Sequence, residues 1–286
     1  MTLSIVTNVM AQRTRSYLSS ATDNLTAAMN KMASGYKINS AKDDAAGYTI
    51  AATMGTKLSS YDIAANNTQI GSDLLSTLEL DFDLINDHLE RIRELTMQAA
   101  NDTYSEASRE AIKAEVKARL EEISRVSQSA EYNGLYLMDG SITTALGLQA
   151  GIYGNSSSRI SMDAFLFDDA SATALFGTDD METYSNKCAG LEAGTAAHDM
   201  LSELDAAIEN VSNRVTQIGA LQNRLESAML TIDVASQNLT SSVSTMKDAD
   251  IALESSKYIQ AQILQTASAT LLQTANQTPS IALDLL

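Results

Sequence analysis

The chain has 286 residues, 36 acidic against 19 basic side chains, a net charge of -17, 5% aromatics and no tryptophan. That balance excludes nucleic acid as a partner, because phosphate-backbone sites need clustered Lys and Arg. An apolar side carried by Ala, Leu, Ile, Val and Met suits thin helical bundles better than a thick globular core. The lone Cys188 rules out an internal disulfide. No run of about 18 apolar residues marks membrane insertion, and the first residues lack the pattern of a cleaved leader.

Taken in order, Leu3 to Met32 has loose helical spacing, with Met10, Tyr17, Ala21, Leu25, Ala28 and Met32 on one side and Gly35 as the stop. Ser40 with Asp43 reads as a capping box that opens a second helix at Ala41. This helix is expected to reach about Ala100, with Ile50, Met54, Leu58, Leu74, Leu78, Ile85, Leu89, Ile92 and Leu95 as its stripe. Gly47, Gly55 and Gly71 interrupt it, each at a cost of about 1 kcal/mol relative to Ala. Asn101 and Asp102 mark a turn before a third helix, Glu106 to Ser129, with Ile112, Val116, Leu120 and Ile123 inward.

The helical period then disappears. Eight of the thirteen glycines fall between Gly134 and Gly194. Asn133-Gly134 and Asp139-Gly140 are turn pairs. Leu146, Leu148, Ala150 and Ile152 alternate with other residues, as do Ile160, Met162, Ala164 and Leu166, so a β-hairpin with its tip at Gly154 to Ser158 is predicted. The acidic stretch from Asp168 to Glu182 reads as loop, up to a long helix that opens near Thr195.

The strongest pattern runs from Leu201 to Met246, where Leu204, Ile208, Val211, Val215, Ile218, Leu225, Met229, Ile232 and Leu239 alternate at spacings of three and four, broken only by Gln222 and Ser236. A stripe this long predicts a partnered helix of roughly 70 Å, at about 1.5 Å per residue. A last helix follows from about Ile251 to Ala275, with Leu253, Gln260, Leu264, Ala267 and Leu271 on one side, Ile263 and Leu272 widening the face, and Pro279 as its end. Residues 1 to 60 carry six bases against three acids and residues 250 to 286 one base against three acids, so the two ends are expected to lie together. The expected fold is mainly α, an elongated antiparallel helical bundle or coiled coil with a small β-hairpin region and paired N- and C-terminal helices. Its expected parts are 1-44 with 247-286, 45-140 with 196-246, and the short region 141-195.

Catalytic and metal chemistry find no pattern. His88, His198 and Cys188 stand at no ligand spacing, and HExxH, CxxC, GxSxG and phosphate-binding glycine loops are absent. No cofactor, metal or enzyme activity is expected.

Three groups of residues carry a resemblance. MASGYKINSAKDDAAG, from Met32 to Gly47, resembles the N-terminal signature of bacterial flagellins, and LERIRELTMQAANDTYSE with RLEEISRVSQSAEYNGLYLMDG resembles the segment that follows it. IGALQNRLESAM and DADIALESSKYIQAQILQTASATLLQTANQ are similar to the returning half. The match spans nearly everything outside about residues 141 to 195. It implies an inner domain of terminal helices that order on assembly, with Met10, Tyr17, Leu25, Met32, Leu264, Leu271 and Leu272 as self-assembly residues. It implies an extracellular filament of the bacterial flagellum, a homopolymer of this chain, exported by the flagellar type III route without a cleaved signal peptide. The implied partners are an export chaperone, cap and hook-filament junction proteins, and the animal Toll-like receptor that senses flagellin. Arg91, Leu95, Gln98 and Glu115 match the receptor-contact positions. The first helix is less rich in Leu and Asn than the family pattern, and Cys188 is unusual for it. The competing readings are a hook-filament junction protein and a secreted coiled-coil effector or adhesin.

Overall fold

Among the described residues of the computed structural model, 7-177, 181-191 and 197-284, the chain forms seven α-helices and two short hairpins. They divide into two units, Met1–Ser59 with Gln237–Leu286, and Ser60–Ser236.

The first unit is built on α1 (Val9–Ser34) and α7 (Ile251–Asp284), which run antiparallel. Asn8 Nδ2 donates to the Ala275 carbonyl (2.7 Å), Gln265 Nε2 to Thr22 Oγ1 (3.1 Å), and the Ala249 N–H to the Gly35 carbonyl (2.8 Å). The buried positions of α1 are Thr14, Ala21 and Ala28, seven apart, and those of α7 are Glu254, Ala261, Ser268 and Ala275, also seven apart. Apart from Glu254, this is a heptad seam made of small side chains. Ala21 and Ala28 belong to the face expected for α1, but the large residues of the expected faces do not join the seam: Met10, Tyr17, Leu264 and Leu271 are exposed, while Leu25, Met32 and Leu272 are half-buried. Large side chains at the contact would hold the two backbones apart, so the helices meet on their alanines. No ion pair links α1 to α7 among the described residues. Glu254 takes Lys257 on its own helix at 2.7 Å.

Gly35 ends α1 in the left-handed region, at φ 75°. The next residues clasp the α6–α7 turn: the Lys37 N–H donates to the Lys247 carbonyl (2.7 Å), and the Lys247 ammonium sits 4.2 Å from the Tyr36 ring centre. The second helix, α2 (Ala45–Ala99), opens later than expected, because Asp44 is its cap and accepts the Gly47 N–H at 3.0 Å. Asp43 instead closes the preceding loop by accepting the N–H groups of Ser40 and Asn39, which hold its carboxyl below the usual range. Ile50 is exposed, and Ala51 takes the buried place. Pro279 does not end α7.

In the second unit α2 runs antiparallel to α3 (Glu106–Ser129) and to α6 (Met200–Lys247). Arg91 meets Glu115, and Arg93 and Glu79 meet Asp205 and Gln222. Leu74, Leu75, Leu78, Phe82, Ile85, Leu89, Ile92 and Leu95 of α2 face Ile112, Val116, Leu120 and Ile123 of α3 in one core. The buried residues of α6 are Met200, Leu204, Ala207, Val211, Arg214, Ile218, Leu221, Leu225 and Ile232. Half of the predicted stripe therefore lies inward, and its alternate members move one residue over. Ala207, Arg214 and Leu221 occupy the places expected of Ile208, Val215 and Gln222. Ile208, Val215, Met229 and Leu239 are half-buried. A helix packed into a shared core buries a broader face than a two-stranded seam, and the centre of that face need not follow the largest side chains. The expected opening near Thr195 lies outside the described residues.

Arg214 is the unexpected core residue. It is 4% exposed, with its guanidinium 5.6 Å from the Phe82 ring centre and 5.0 Å from that of Phe165, and it donates to the Asp168 carbonyl (2.7 Å) and Asn210 Oδ1 (3.0 Å). Burial lowers its pKa and the nearby Asp168 and Asp169 oppose that.

Between α3 and α6 lie β1 (Glu131–Tyr132) and β2 (Leu135–Tyr136), joined through Asn133 (φ 51°) and Gly134 (φ 82°), the two positive angles that a two-residue hairpin turn demands. The predicted hairpin is β3 (Leu146–Gln149) with β4 (Arg159–Met162), in the register Leu146 with Met162 and Gln149 with Arg159. It is shorter than expected, because Ala164–Phe167 coils into a 3-10 turn and buries Leu166 and Phe167. The acidic stretch is not all loop either. It contains α4 (Ala172–Phe176), capped by Ser171 and ended by Gly177, and the start of α5 (Met181–Cys188), which docks on α3 through Glu182 between Lys113 and Lys117. Cys188 is fully buried, and burial pushes its thiol up to about 12, so it packs as a small apolar group.

Two glycines inside helices behave oppositely. A Cβ on Gly71 would overlap the Leu148 side chain, so the hairpin approaches α2 closely there, whereas Gly219 on α6 meets nothing within 4 Å. Gly219→Ala is expected to raise stability by about 0.5–1 kcal/mol. Gly71→Ala should lower it despite the better helix propensity, since displacing Leu148 costs about 1–3 kcal/mol. Urea unfolding of both variants reads the two signs. For the α6 core, Ile218→Ala should cost about 2–5 kcal/mol and the half-buried Ile208→Ala clearly less. Equal midpoint shifts in a thermal melt would contradict the displaced seam.

Candidate interaction surfaces

On α1 and α7 the buried residues are mostly small and the large apolar ones face out. Val9, Met10, Tyr17 and Met29 of α1 and Ile251, Leu253, Ile259, Ile263, Leu264 and Leu271 of α7 are each between 48% and 67% exposed. On α7, Ile259 and Ile263 are one turn apart on one ridge, and Leu264 and Leu271 line another, two turns apart. Scattered apolar residues on a surface are ordinary, but this concentration on two helices marks interaction surface. The sequence signal for it was present as Ala spacing, and it was obscured by weighting the large residues.

The second surface is the outer side of α2 and α3. Arg91 Nη1 lies 2.7 Å from Glu94 Oε2 and its Nε 3.1 Å from Glu115 Oε1. Arg119 approaches the same Glu115 oxygen through Nη2 at 3.1 Å, and its Nη1 is 3.3 Å from His88 Nδ1. These pairs raise the Arg91 pKa, through Glu94 first and Glu115 next. Burial pushes the Glu115 carboxyl up, but the hydrogen bonds and charges of Arg119 and Arg91 outweigh it and leave the group below its usual range. Gln98 is exposed two turns along. Leu95 is not part of this surface. It is 3% exposed and packs in the core, because its side chain follows the inward series Ile92, Leu95 and Ala99. The ridge therefore consists of Arg91, Gln98 and Glu115, joined by Glu94 and Arg119, which sequence reasoning did not single out.

A third feature, in the second unit, is a cleft of 570 Å³ under the tip of the β3–β4 hairpin, lined by Tyr61, Ile152, Tyr153, Arg224, Thr231 and Ile232 among others. It holds no carboxylate, histidine or thiol. Among the described residues no three His, Cys, Asp or Glu side chains are grouped to hold a metal, and no helix is long and apolar enough to cross a membrane.

Residues 5–143 match the family model of the bacterial flagellin N-terminal helical region and residues 201–286 that of the C-terminal helical region. The chain is 33% identical to a flagellin of Halalkalibacterium halodurans over 259 residues, 91% of this chain and 90% of that one. It is also 33% identical to a flagellin of Bacillus subtilis, covering 98% of each. Among solved structures, a putative flagellar hook-associated protein from Vibrio parahaemolyticus shares the fold, with a TM-score of 0.61 over 72% of this chain and all of that one, at 15% identity. Both terminal regions are present in the right order, at full-length coverage of relatives that are filament proteins, and so the chain belongs to the bacterial flagellins, a family of structural filament subunits and not of enzymes.

Proposed function

We propose that the exposed apolar ridges of α1 and α7 are the surfaces through which copies of this chain pack in the flagellar filament. The observation that carries this reading is the inverted burial of α1 and α7, alanines inside and Met, Tyr, Ile and Leu outside. A two-helix unit joined by a seam of small residues buries little apolar area, and its stability in water is correspondingly marginal. Neighbouring copies supply the missing burial. The subunit is thus a pre-formed second unit joined to a first unit that gains order on assembly. Export by the flagellar type III route, with a chaperone, cap and junction proteins as successive partners, accords with the family. A hook-filament junction protein shares the fold but closes into one ring. The two relatives described above are named flagellin and are matched over nine-tenths or more of both chains, which favours the filament.

The second part of the proposal is that the ridge of Arg91, Gln98 and Glu115 is recognised by the host Toll-like receptor for flagellin. Arg91 is a half-exposed cation on a convex helix face, of the kind that acts as an anchor in a partner's groove. Leu95 acts from beneath, by holding α2 in place.

Deleting residues 1–35 and 251–286 should leave a folded helical monomer that forms no filaments at any concentration. Polymers of the truncated chain in electron micrographs would refute the assembly assignment. Arg91→Ala should weaken receptor binding by the monomer by about 2 kcal/mol, roughly thirtyfold, with an unchanged circular dichroism melt. Leu95→Ala should instead lower the melting temperature. Full receptor affinity in folded Arg91→Ala protein would remove the ridge from the site.

A further inference from the structure

The Asn8 side chain makes two contacts that belong to different helices. Its Oδ1 accepts the Ala11 N–H at 2.9 Å and so caps α1, while its Nδ2 donates to the Ala275 carbonyl of α7 at 2.7 Å. Ala275 stands four residues before Pro279, and α7 is helical through Asp284. In a helix the carbonyl of residue 275 is the acceptor for the N–H of residue 279, and a proline there has none to give. The one carbonyl that the proline leaves without its normal donor is the one that Asn8 reaches. A proline inside a helix persists where another group takes the freed backbone acceptor, and a buried carbonyl without any donor is costly.

We infer that Asn8 is a positioning residue that stands in for the missing amide of Pro279, so that the end of α7 stays helical only when the start of α1 is docked beside it. The two ends of the chain then order as one element. A subunit whose α1 is undocked has a helix break at Pro279, and one whose α7 is undocked keeps the Asn8 cap on α1 but loses its cross-helix bond. An acceptor for the cap and a separate donor long enough to cross to α7 are needed at once, which explains an amide here: Asp would cap α1 but has no donor, and the hydroxyl of Ser or Thr sits one bond closer to the backbone and falls short of the Ala275 carbonyl. The bond also sets the register of the pair, because Ala275 is the last of the seven-spaced seam residues of α7 among those described, and Asn8 immediately precedes α1.

The test uses the full-length chain in assembled filaments and reads hydrogen exchange in peptides covering 276–284, with those covering 9–20 as the internal reference. Asn8→Asp keeps an acceptor for the cap and has no donor, and Asn8→Ser keeps the cap but its shorter hydroxyl does not reach the Ala275 carbonyl. Each should lower protection of 276–284 about fivefold to tenfold, the worth of one hydrogen bond, and leave 9–20 nearly unchanged. Pro279→Ala restores an N–H to the Ala275 carbonyl, so the same Asn8 substitutions in that background should change protection less than twofold. If Asn8→Asp prevents assembly altogether, Pro279→Ala should restore it. Unchanged protection in both Asn8 variants, an equal loss with and without Pro279→Ala, or failure of Pro279→Ala to rescue assembly would each overturn the assignment.

Discussion

Two helices from opposite ends of the chain are held together by side chains no larger than alanine, serine and threonine over most of their contact, and the rest of the molecule follows from that constraint. Small residues at Ala21, Ala28, Ala261, Ser268 and Ala275 let the backbones come close. They also leave the large apolar residues of both helices with nowhere to go but outward. A seam of this kind buries too little to stabilise a free-standing pair strongly. It is well suited to an element whose remaining surface is covered by neighbouring copies.

The second unit is built on the opposite rule. Its three long helices and the β3–β4 hairpin share a core of Leu, Ile, Val and Phe, several of them with no exposure at all. Even the charge in that core is used structurally. Arg214 stacks between two aromatic rings and ties the segment after the hairpin to α6 through the Asp168 carbonyl. Replacing it by a small residue would leave a void and an unpaired carbonyl together, whereas the exposed pairs such as Arg125 with Glu122 contribute little, as surface ion pairs do.

The ridge on α2 and α3 depends on that core without being part of it. Leu95, Ile92 and Val116 fix the spacing of the two helices, and the spacing places Glu115 within reach of both Arg91 and Arg119. The guanidinium of Arg91 is thereby held between two carboxylates and presented in a defined direction. Its side chain remains 39% exposed. A partner meeting this surface finds a pre-ordered cation rather than a free lysine-like tether, which lowers the entropy lost on binding.

Amino-acid order alone determined the five long helices but not the short α4 and α5, and it determined the Gly35 stop, the third helix to the residue and the β3–β4 pairing, because local periodicity, caps and turn residues act within a few positions of themselves. The returning halves were also legible, through motifs that occur in a fixed order. The inward faces of α3 and of most of α2 were legible too, but tertiary structure decided which faces of α1, α6 and α7 are buried. Periodicity marked Ile208, Val215, Met10, Tyr17, Leu264 and Leu271 as inward because they are large, and packing chose Ala207, Arg214, Ala261 and Ser268, and kept only Ala21 and Ala28 of the expected α1 face, because close approach rewards small side chains and a shared core rewards shape. Leu95 follows the inward stripe that periodicity gave it and not the contact position that resemblance implied, while Pro279 stayed within its helix because of a distant partner. Burial and the donor that reaches a freed carbonyl depend on residues far away in the chain, and no local pattern contains them.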